Sequence, residues 1–384
     1  MSLSERLSAL DGIGVRPEGV VRLAWTAEDA ACREWFRAQA SEVGLRVEVD
    51  PAGNMWACPD AESPWFGAGS HLDSVRGGGR FDGPLGVACG FELAALSELP
   101  VAVISFADEE GARFNTPTFG SKALSARLDL PAVLERRDGD GVALGDALMA
   151  FGVDPGRIAE APPWLERLSG FLEIHIDQST DVARAGVPVG IVSSLANRMR
   201  LEVEVDGRAD HAGTTPREER EDAMLGAARL IVAADATASE LGGLTVTTSR
   251  LVAEPNAPTT IASLVRLWID ARSVDNERLD AWLDRVRDVD VGARVRIGVA
   301  SRSAGREFAP ELRGQLARAG EAVLGQSPPE VVCFAGHDAG VVGERVPSSM
   351  LLVRNETGVS HAPEEHVELA DAAAAVRVAA RMLR

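Results

Sequence analysis

The densest chemical motif of this sequence surrounds one of its six histidines. His71 follows a short apolar run, Asp73 comes two residues later, and Asp82 lies in the glycine-rich turn GGGRFDG. An imidazole and a nearby carboxylate are ligands of divalent transition metals, and a second carboxylate such as Asp73 can orient the imidazole. Taken alone, the pattern also fits a local hydrogen-bonded pair, so it predicts a metal site only in combination with other motifs.

Three consecutive carboxylates, Asp108, Glu109 and Glu110, follow the apolar run VAVISFA. In an open α/β sheet, ligands bind beyond the carboxyl ends of the strands, so these side chains lie where a site is expected. Of two adjacent glutamates, one can bind a cation while the other acts as general base on the water that the cation activates. The competing interpretation is a solvated acidic loop.

Two more histidines complete a possible ligand set: His175 in EIHIDQ and His361 in TGVSHAPEE. Either one alone is more often structural than a ligand. Together, the motifs supply three imidazoles and two or three carboxylates, which is the inventory of a two-metal hydrolytic centre. Because the donors are nitrogen and oxygen without thiolate, zinc, manganese, cobalt and nickel all fit.

These motifs need a scaffold in which strand ends meet. Apolar runs and helical periodicity alternate as in an α/β domain, with strands predicted at residues 45–59, 65–70, 101–107, 171–176 and 348–353. From about residue 195 the predicted order is β-α-β-β-α-β, a ferredoxin-like arrangement. We therefore predict an α/β domain with a central mixed sheet (residues 1–194 and 304–384) and an inserted ferredoxin-like domain (residues 195–303).

The composition argues against nucleic acids and membranes as binding partners and against secretion. With 39 Lys and Arg against 58 Asp and Glu, the net charge of −19 repels nucleic acids and anionic membrane surfaces. No apolar run reaches the roughly 18 residues of a spanning helix, and the first residues do not resemble a secretory signal. We expect no nucleic-acid partner, no membrane and a cytoplasmic location. The cysteines form no C-x-x-C pair and suggest neither a thiolate zinc site nor disulfides.

The chain resembles the amidase/hydantoinase-carbamoylase family of dinuclear metallohydrolases, which includes N-carbamoyl-L-amino acid amidohydrolases, β-ureidopropionases and allantoate amidohydrolases. The motifs that carry the resemblance occur in family order over nearly the whole chain: GSHLDSVRGGGRFDGPLGV, FADEEGARF, HIDQ, DHAGTTP, GHDAG and GVSHAPEE. The resemblance implies hydrolysis of the ureido or amide C–N bond of a small carboxylate, first an N-carbamoyl-L-amino acid and second allantoate. An aminoacylase or dipeptidase of the same clan, and a non-catalytic binding protein, are the alternatives.

The resemblance implies two divalent transition-metal ions bound by the large domain, which is then the catalytic domain. It also implies that the inserted domain is a lid or dimerisation domain, through which a homodimer forms. The implied metal ligands, with Asp82 as the bridging carboxylate, are His71, Asp82, Glu110, His175 and His361.

Four further residues receive implied roles. Glu109 is the general base, which takes a proton from the attacking water and passes it to the leaving nitrogen. His211 polarises the scissile carbonyl and reaches it across the dimer interface. Gln178 contacts the substrate, and Arg272 binds the substrate carboxylate, to which a planar guanidinium is suited.

Other positions are less determined. Asp73, His337 and Asp338 are expected to support the site. The chain departs from the family in HIDQS, where HIEQG is usual, and in PNAPTTIA, where Thr259 replaces a substrate-binding asparagine near Asn256. A threonine offers one hydroxyl where an amide offers one acceptor and two donors, so Asn256 and Thr259 leave substrate selection open.

Two predicted site residues of the inserted domain, His211 and Arg272, also have purely structural interpretations. The segment DHAGTTP also fits a plain helix entrance, with Thr215 as the cap and Pro216 at the first helical position. Arg272 also fits a surface residue at the end of a strand.

Overall fold

The computed structural model describes residues 1–384, which divide into two compact units. The large unit comprises Met1–Ser193, Glu307–Val331 and Ala335–Arg384, and the small unit comprises Ser194–Arg306 and Val332–Phe334. None of the helices is both long enough and apolar enough to cross a membrane.

The elements are numbered in chain order. The strands are β1 (Val15–Arg16), β2 (Gly19–Val20), β3 (Arg46–Val49), β4 (Met55–Cys58), β5 (Trp65–His71), β6 (Val101–Phe106), β7 (Leu168–Ile176), β8 (Val189–Leu195), β9 (Asn197–Asp206), β10 (Leu244–Glu254), β11 (Leu264–Ser273), β12 (Arg294–Ser303), β13 (Arg306–Glu307), β14 (Glu330–Cys333) and β15 (Ser348–Val353). The α-helices are α1 (Leu3–Ser8), α2 (Ala27–Glu42), α3 (Pro84–Leu96), α4 (Phe119–Leu124), α5 (Leu130–Leu134), α6 (Leu144–Phe151), α7 (Asp181–Arg184), α8 (Ala223–Leu241), α9 (Asn276–Arg287), α10 (Pro310–Leu324), α11 (Asp338–Val342) and α12 (Leu369–Met382).

A mixed sheet of nine strands forms the centre of the fold, in the order β13-β8-β15-β7-β5-β6-β4-β3 with β14 beside β8. Its middle strands β15, β7, β5 and β6 are parallel to one another. The pairs β15–β8, β6–β4 and β4–β3 are antiparallel. Strands β6 and β15 are buried at every position, as expected for parallel strands covered on both faces. Helix α3 is apolar on nearly every side and packs into the same core.

The parallel strands bring the chemical motifs to one edge of this sheet. His71, the last residue of β5, is in register with Phe106, the last residue of β6. Ile176, which follows His175 at the end of β7, is in register with Val353, the last residue of β15. Parallel neighbours that end together place the residues that follow them side by side, which is the geometry of a site at the carboxyl edge.

The small unit contains the β-α-β-β-α-β order that the sequence predicts. Its sheet has the order β10-β11-β9-β12, with all strands antiparallel. Alternate residues of β9 and β11 are buried, and they share a core with α8 and α9. The predicted fold class, an α/β fold with a central mixed sheet and an inserted ferredoxin-like domain, is confirmed.

Helix α8 is longer than its sequence pattern predicts. The apolar periodicity of the sequence predicts a helix over residues 222–236, but α8 continues to Leu241, since Ala238 still packs into the core. It stops at Gly242, whose φ of +64° is unfavourable for other residues.

Candidate metal centre

Asp82 lies between three histidines. Its Oδ1 is 3.6 Å from Nε2 of His71 and 3.1 Å from Nε2 of His175, whereas its Oδ2 is 3.3 Å from Nε2 of His361. Oε1 of Glu110 lies 3.4 Å from the same His361 nitrogen. The side chains form two groups that could each hold a metal ion, His71–Asp82–His175 and Asp82–Glu110–His361. The structure thus brings all five predicted ligands together, with Asp82 common to both groups.

The two buried imidazoles are oriented through their Nδ1 atoms. Nδ1 of His71 lies 3.1 Å from the backbone oxygen of Asp73, and Nδ1 of His175 lies 2.9 Å from that of Ile176. Because a carbonyl oxygen only accepts hydrogen bonds, each Nδ1 is the donor, and each Nε2 is directed at Asp82. Carbonyl-oriented histidines of this kind are typical metal ligands.

The donor set fits a divalent cation. Nε2 of His175 is buried, lies 3.1 Å from Oδ1 of Asp82 and has no hydrogen-bond partner. Burial lowers the pKa of His175, but the Asp82 carboxylate outweighs this effect and raises it to about 9. The carboxylates therefore favour a positive charge at Nε2, and a bound metal ion supplies one.

The loop before α3 fits closely against the His71 ring. Gly83 precedes the helix with a φ of +86°, and a Cβ at this position would lie 2.5 Å from two atoms of the imidazole. Only glycine combines this backbone conformation with this close approach. The glycine-rich turn of the sequence thus allows Asp82 to lie against His71.

The Asp73 side chain accepts hydrogen bonds from the acidic segment. Its Oδ1 accepts from the backbone N–H of Glu109 at 3.1 Å, and its Oδ2 accepts from that of Glu110 at 3.0 Å. The Asp73 carboxylate lies 3.6 Å from Nδ1 of His71, which is too long for a hydrogen bond. The backbone oxygen of Asp73 is therefore the hydrogen-bond partner of His71, while the Asp73 side chain fixes the two glutamates. Orientation of His71 by the carboxylate stays a prediction.

The acidic segment is not a solvated loop. Asp108 and Glu109 are 2% and 7% exposed, respectively. Burial raises the pKa of Glu109 well above its usual value, although His71 opposes the shift. Burial and the neighbouring Asp82 raise the pKa of Glu110 to about 7. Oε2 of Glu109 lies 3.9 Å from Nε2 of His71, so Glu109 adjoins the ligand groups without belonging to either.

Gln178 contacts Asp82 in this structure. Its Nε2 donates to Oδ2 of Asp82 at 3.0 Å and to Oγ of Ser360 at 3.1 Å, and Ser360 in turn donates to the same Asp82 oxygen at 3.1 Å. The predicted substrate-contacting glutamine thus orients the shared carboxylate here.

His337 and Asp338 are buried, and the His337 ring lies next to the predicted ligand His175. The His337 ring centroid lies 4.4 Å from that of His175, and its Nε2 has no hydrogen-bond partner. Oδ1 of Asp338 accepts from Oγ of Ser121 at 2.5 Å. Glu173 completes a third group of potential ligands with His175 and His337, but its two oxygens already accept from Ser70 Oγ and the Ala339 N–H.

His211 lies in an exposed loop of the small unit. Its Nδ1 accepts from the backbone N–H groups of Gly213 and Thr214 at 3.0 and 3.2 Å. Only a short 3-10 helix, Arg217–Glu219, follows the motif directly, with Pro216 rather than Thr215 at its cap position and no side-chain cap. The Thr215 hydroxyl instead donates to the backbone oxygen of His211, so the interpretation of DHAGTTP as a helix entrance capped by Thr215 is wrong.

The Pro255–Thr259 segment adjoins the His211 loop. Asn256 and Thr259 are both exposed, and the backbone oxygen of Thr259 accepts from Ala212 N–H at 2.9 Å. The structure thus places the three predicted small-unit residues His211, Asn256 and Thr259 on neighbouring loops.

Arg272 is engaged by its own unit. Its Nε donates to Oδ1 of Asp270 at 2.6 Å and its Nη1 donates to the backbone oxygen of Phe334. Burial raises the pKa of Asp270, but hydrogen bonds from Arg272 and Arg200 outweigh it and lower the pKa. The guanidinium keeps its remaining N–H groups for another acceptor, and its side chain is 27% exposed.

A sequence profile of peptidase family M20/M25/M40 matches residues 67–384. The chain belongs to this family. It is 33% identical to an N-carbamoyl-L-amino acid amidohydrolase of Geobacillus stearothermophilus over 98% of this chain and 96% of the relative. It is 31% identical to an allantoate amidohydrolase of Bacillus subtilis over 91% of this chain and 88% of the relative.

A solved structure supports the same assignment. The chain matches an amidase of the hydantoinase/carbamoylase family from Burkholderia vietnamiensis with a TM-score of 0.86 and 30% identity, over 99% of this chain and 96% of the other. The predicted resemblance is confirmed, and so is the enzyme class, a hydrolase. The role of each site residue stays a prediction.

Three residues of this M20-family chain contact the ligand groups but were not singled out by sequence: Ser360, Glu173 and Glu365. Ser360 adjoins a predicted ligand, and Glu173 lies two residues before another on the same strand face. The proximity of Ser360 and Glu173 to predicted ligands in the sequence is the signal that could have identified them. Glu365 has only its place in the HAPEE turn, which does not indicate what it binds.

Proposed function

We propose that this protein is a metal-dependent amidohydrolase that cleaves the ureido or amide C–N bond of a small carboxylate. The observation that carries the proposal is the pair of ligand groups that share Asp82, with the buried Glu109 beside them. An N-carbamoyl-L-amino acid is the first candidate substrate, because several relatives carry that activity in their names. Allantoate is the second, on the name of the Bacillus subtilis relative.

Two divalent transition-metal ions complete this proposal. His71 and His175 would hold one ion and Glu110 and His361 the other, with one Asp82 oxygen facing each group. When bound, such ions polarise the scissile carbonyl and lower the pKa of a water molecule. The all-nitrogen-and-oxygen donor set suits zinc, manganese, cobalt or nickel.

Glu109 is the proposed general base. Neither ligand group includes it, and burial raises its pKa well above its usual value, which makes the carboxylate a stronger proton acceptor than an exposed glutamate. It takes the proton from the attacking water as the new C–O bond forms. It then gives this proton to the nitrogen that leaves when the C–N bond breaks, so the base is regenerated.

The small unit is proposed to bind and polarise the substrate. Arg272 binds the substrate carboxylate, His211 donates to the scissile carbonyl, and Asn256 and Thr259 contact the rest of the substrate. Gln178 of the large unit has one acceptor oxygen left for the substrate while its amide nitrogen holds Asp82.

We also propose a homodimer through the small unit and a cytoplasmic location. Helix α8 exposes Met224, Leu225 and Val232, of which Val232 is 69% exposed. Apolar side chains on one exposed helix favour an interface between copies of the chain. Light scattering of the purified protein measures the oligomeric state directly.

The test of the proposed function is a substrate panel with defined metals. The protein is stripped with a chelator and reloaded separately with zinc, manganese, cobalt or nickel. Each form is then assayed with several N-carbamoyl-L-amino acids, N-carbamoyl-β-alanine, allantoate, N-acyl amino acids and dipeptides. We expect activity on a carbamoyl substrate to vanish on stripping and return with at least one metal. Unchanged turnover in the stripped protein contradicts the metal mechanism, and a preference for dipeptides or N-acyl amino acids identifies a different enzyme of the clan.

The Arg272→Ala variant tests the carboxylate clamp. We expect its KM for an N-carbamoyl amino acid to rise about ten- to a hundredfold, since a hydrogen bond to a charged group contributes about 1.5–3 kcal/mol. The carboxamide analogue of the same substrate should be affected little. Arg200→Ala is the matched control, because Arg200 also binds Asp270 but has no proposed role at the substrate. Equal losses for the acid and the amide would exclude the clamp.

A further inference from the structure

Glu365 binds the backbone of the loop that carries Asp82. Its Oε1 accepts from the N–H groups of Phe81 at 2.8 Å and of Asp82 at 2.9 Å, across 284 and 283 residues of sequence. The side chain is buried, with Glu365 only 4% exposed. These two N–H groups precede helix α3 and belong to no strand, so they lack a partner in regular secondary structure, and the Glu365 side chain is their acceptor.

The loop is shaped around this carboxylate. A Cβ at Gly79 would lie 2.5 Å from both the Cβ and the Oε1 of Glu365, so the loop backbone passes directly against the side chain. Such close approach fixes where the Glu365 carboxylate lies, and through it the position of the Asp82 backbone.

Glu365 also belongs to the turn that carries His361. Its own N–H donates to the backbone oxygen of Ala362 at 3.1 Å, which closes this turn immediately after His361. One residue therefore joins the segment of the His361 ligand to the segment of the shared carboxylate. The His361 side chain is half exposed, and its φ of +56° is unfavourable for a residue other than glycine, so the surrounding structure has to hold this backbone conformation.

We propose that Glu365 is a positioning residue of the metal centre, which holds Asp82 between the two ligand groups by accepting from the Phe81 and Asp82 N–H groups. The inference rests on the proposed metal centre. Because both groups use Asp82, a shift of its backbone weakens the binding of both ions. Residues that orient metal ligands typically contribute 10- to 100-fold in metal affinity.

The test is calorimetric titration of the stripped protein with zinc chloride, in parallel with thermal unfolding of the metal-free protein. Glu365→Ala and the similarly sized Glu365→Met both remove the acceptor, whereas Glu365→Gln keeps an amide oxygen that can accept from both N–H groups. Glu364→Ala is the control, since Glu364 is the exposed neighbour. We expect wild type, Glu364→Ala and Glu365→Gln to bind two ions with similar affinity, and Glu365→Ala and Glu365→Met to bind about 10- to 100-fold more weakly.

Several outcomes overturn the inference. Wild-type affinity in Glu365→Ala or Glu365→Met means that Glu365 has a structural role only, even if the unfolding temperature falls. A loss in Glu365→Gln as large as in Glu365→Ala means that hydrogen-bond acceptance is not the cause. If Glu365→Ala fails to fold, Glu365→Met and Glu365→Gln give the same comparison. A wild-type protein that binds no ion refutes the proposed metal centre itself, a result distinct from failure of the variants alone.

Discussion

Replacing Glu109 with glutamine should lower kcat by at least about 10²-fold, the low end of the contribution of general-base catalysis. Glutamine has nearly the same shape as glutamate but cannot take a proton from water. Glu109 belongs to neither ligand group, and its backbone N–H is held by Asp73 whatever its side chain. We therefore expect the variant to keep the metal content and the KM of wild type, measured by elemental analysis and steady-state kinetics.

Glu110→Gln is the matched control for this variant. Glu110 is the adjacent residue, its backbone N–H is held by the same Asp73 carboxylate, and its Oε1 lies 3.4 Å from Nε2 of His361. The amide is a weaker ligand than the carboxylate, so this variant should lose metal from one group. If Glu109→Gln loses metal while Glu110→Gln keeps it, the roles of the two glutamates are exchanged.

The edge of the sheet could be predicted because its signals are local. The runs that end in His71 and Phe106 are apolar enough to be recognised as buried strands, and polar residues follow each of them directly. Parallel strands that end in register then place those polar residues together. The apolar run of each strand, together with the rule that ligands bind at the carboxyl ends of parallel strands, was sufficient to predict this edge as a site.

Contacts between distant segments could not be predicted in this way. Gln178 reaches Asp82 across 96 residues and Glu365 reaches it across 283, and no spacing in the sequence encodes either contact. The sequence also could not show which acceptor of Asp73 binds His71, because its backbone oxygen and its carboxylate both lie near Nδ1 of His71. The structure selects the backbone oxygen, while the side chain satisfies two N–H groups on another loop.

Asp82→Ala should have a larger effect on metal binding than loss of any other single ligand. Its two oxygens face different nitrogens, Oδ1 towards His71 and His175 and Oδ2 towards His361, so its removal takes one ligand from each group. We expect the variant to retain neither ion after dialysis against metal-free buffer. Its activity should fall below that of Glu109→Gln, because carbonyl polarisation and water activation are lost together.

Single-group variants give the comparison that decides whether Asp82 is shared. Of the two groups that include Asp82, His175→Ala removes a side chain from one and His361→Ala removes a side chain from the other. Each should lower the affinity for one ion and leave the second ion bound, so elemental analysis after dialysis should find about half of the wild-type metal content. If Asp82→Ala also retains half of the wild-type metal content, the two Asp82 oxygens do not bind different ions. The two groups then do not share one carboxylate. A shared carboxylate requires that Asp82→Ala loses both ions, whereas His175→Ala and His361→Ala each lose only one.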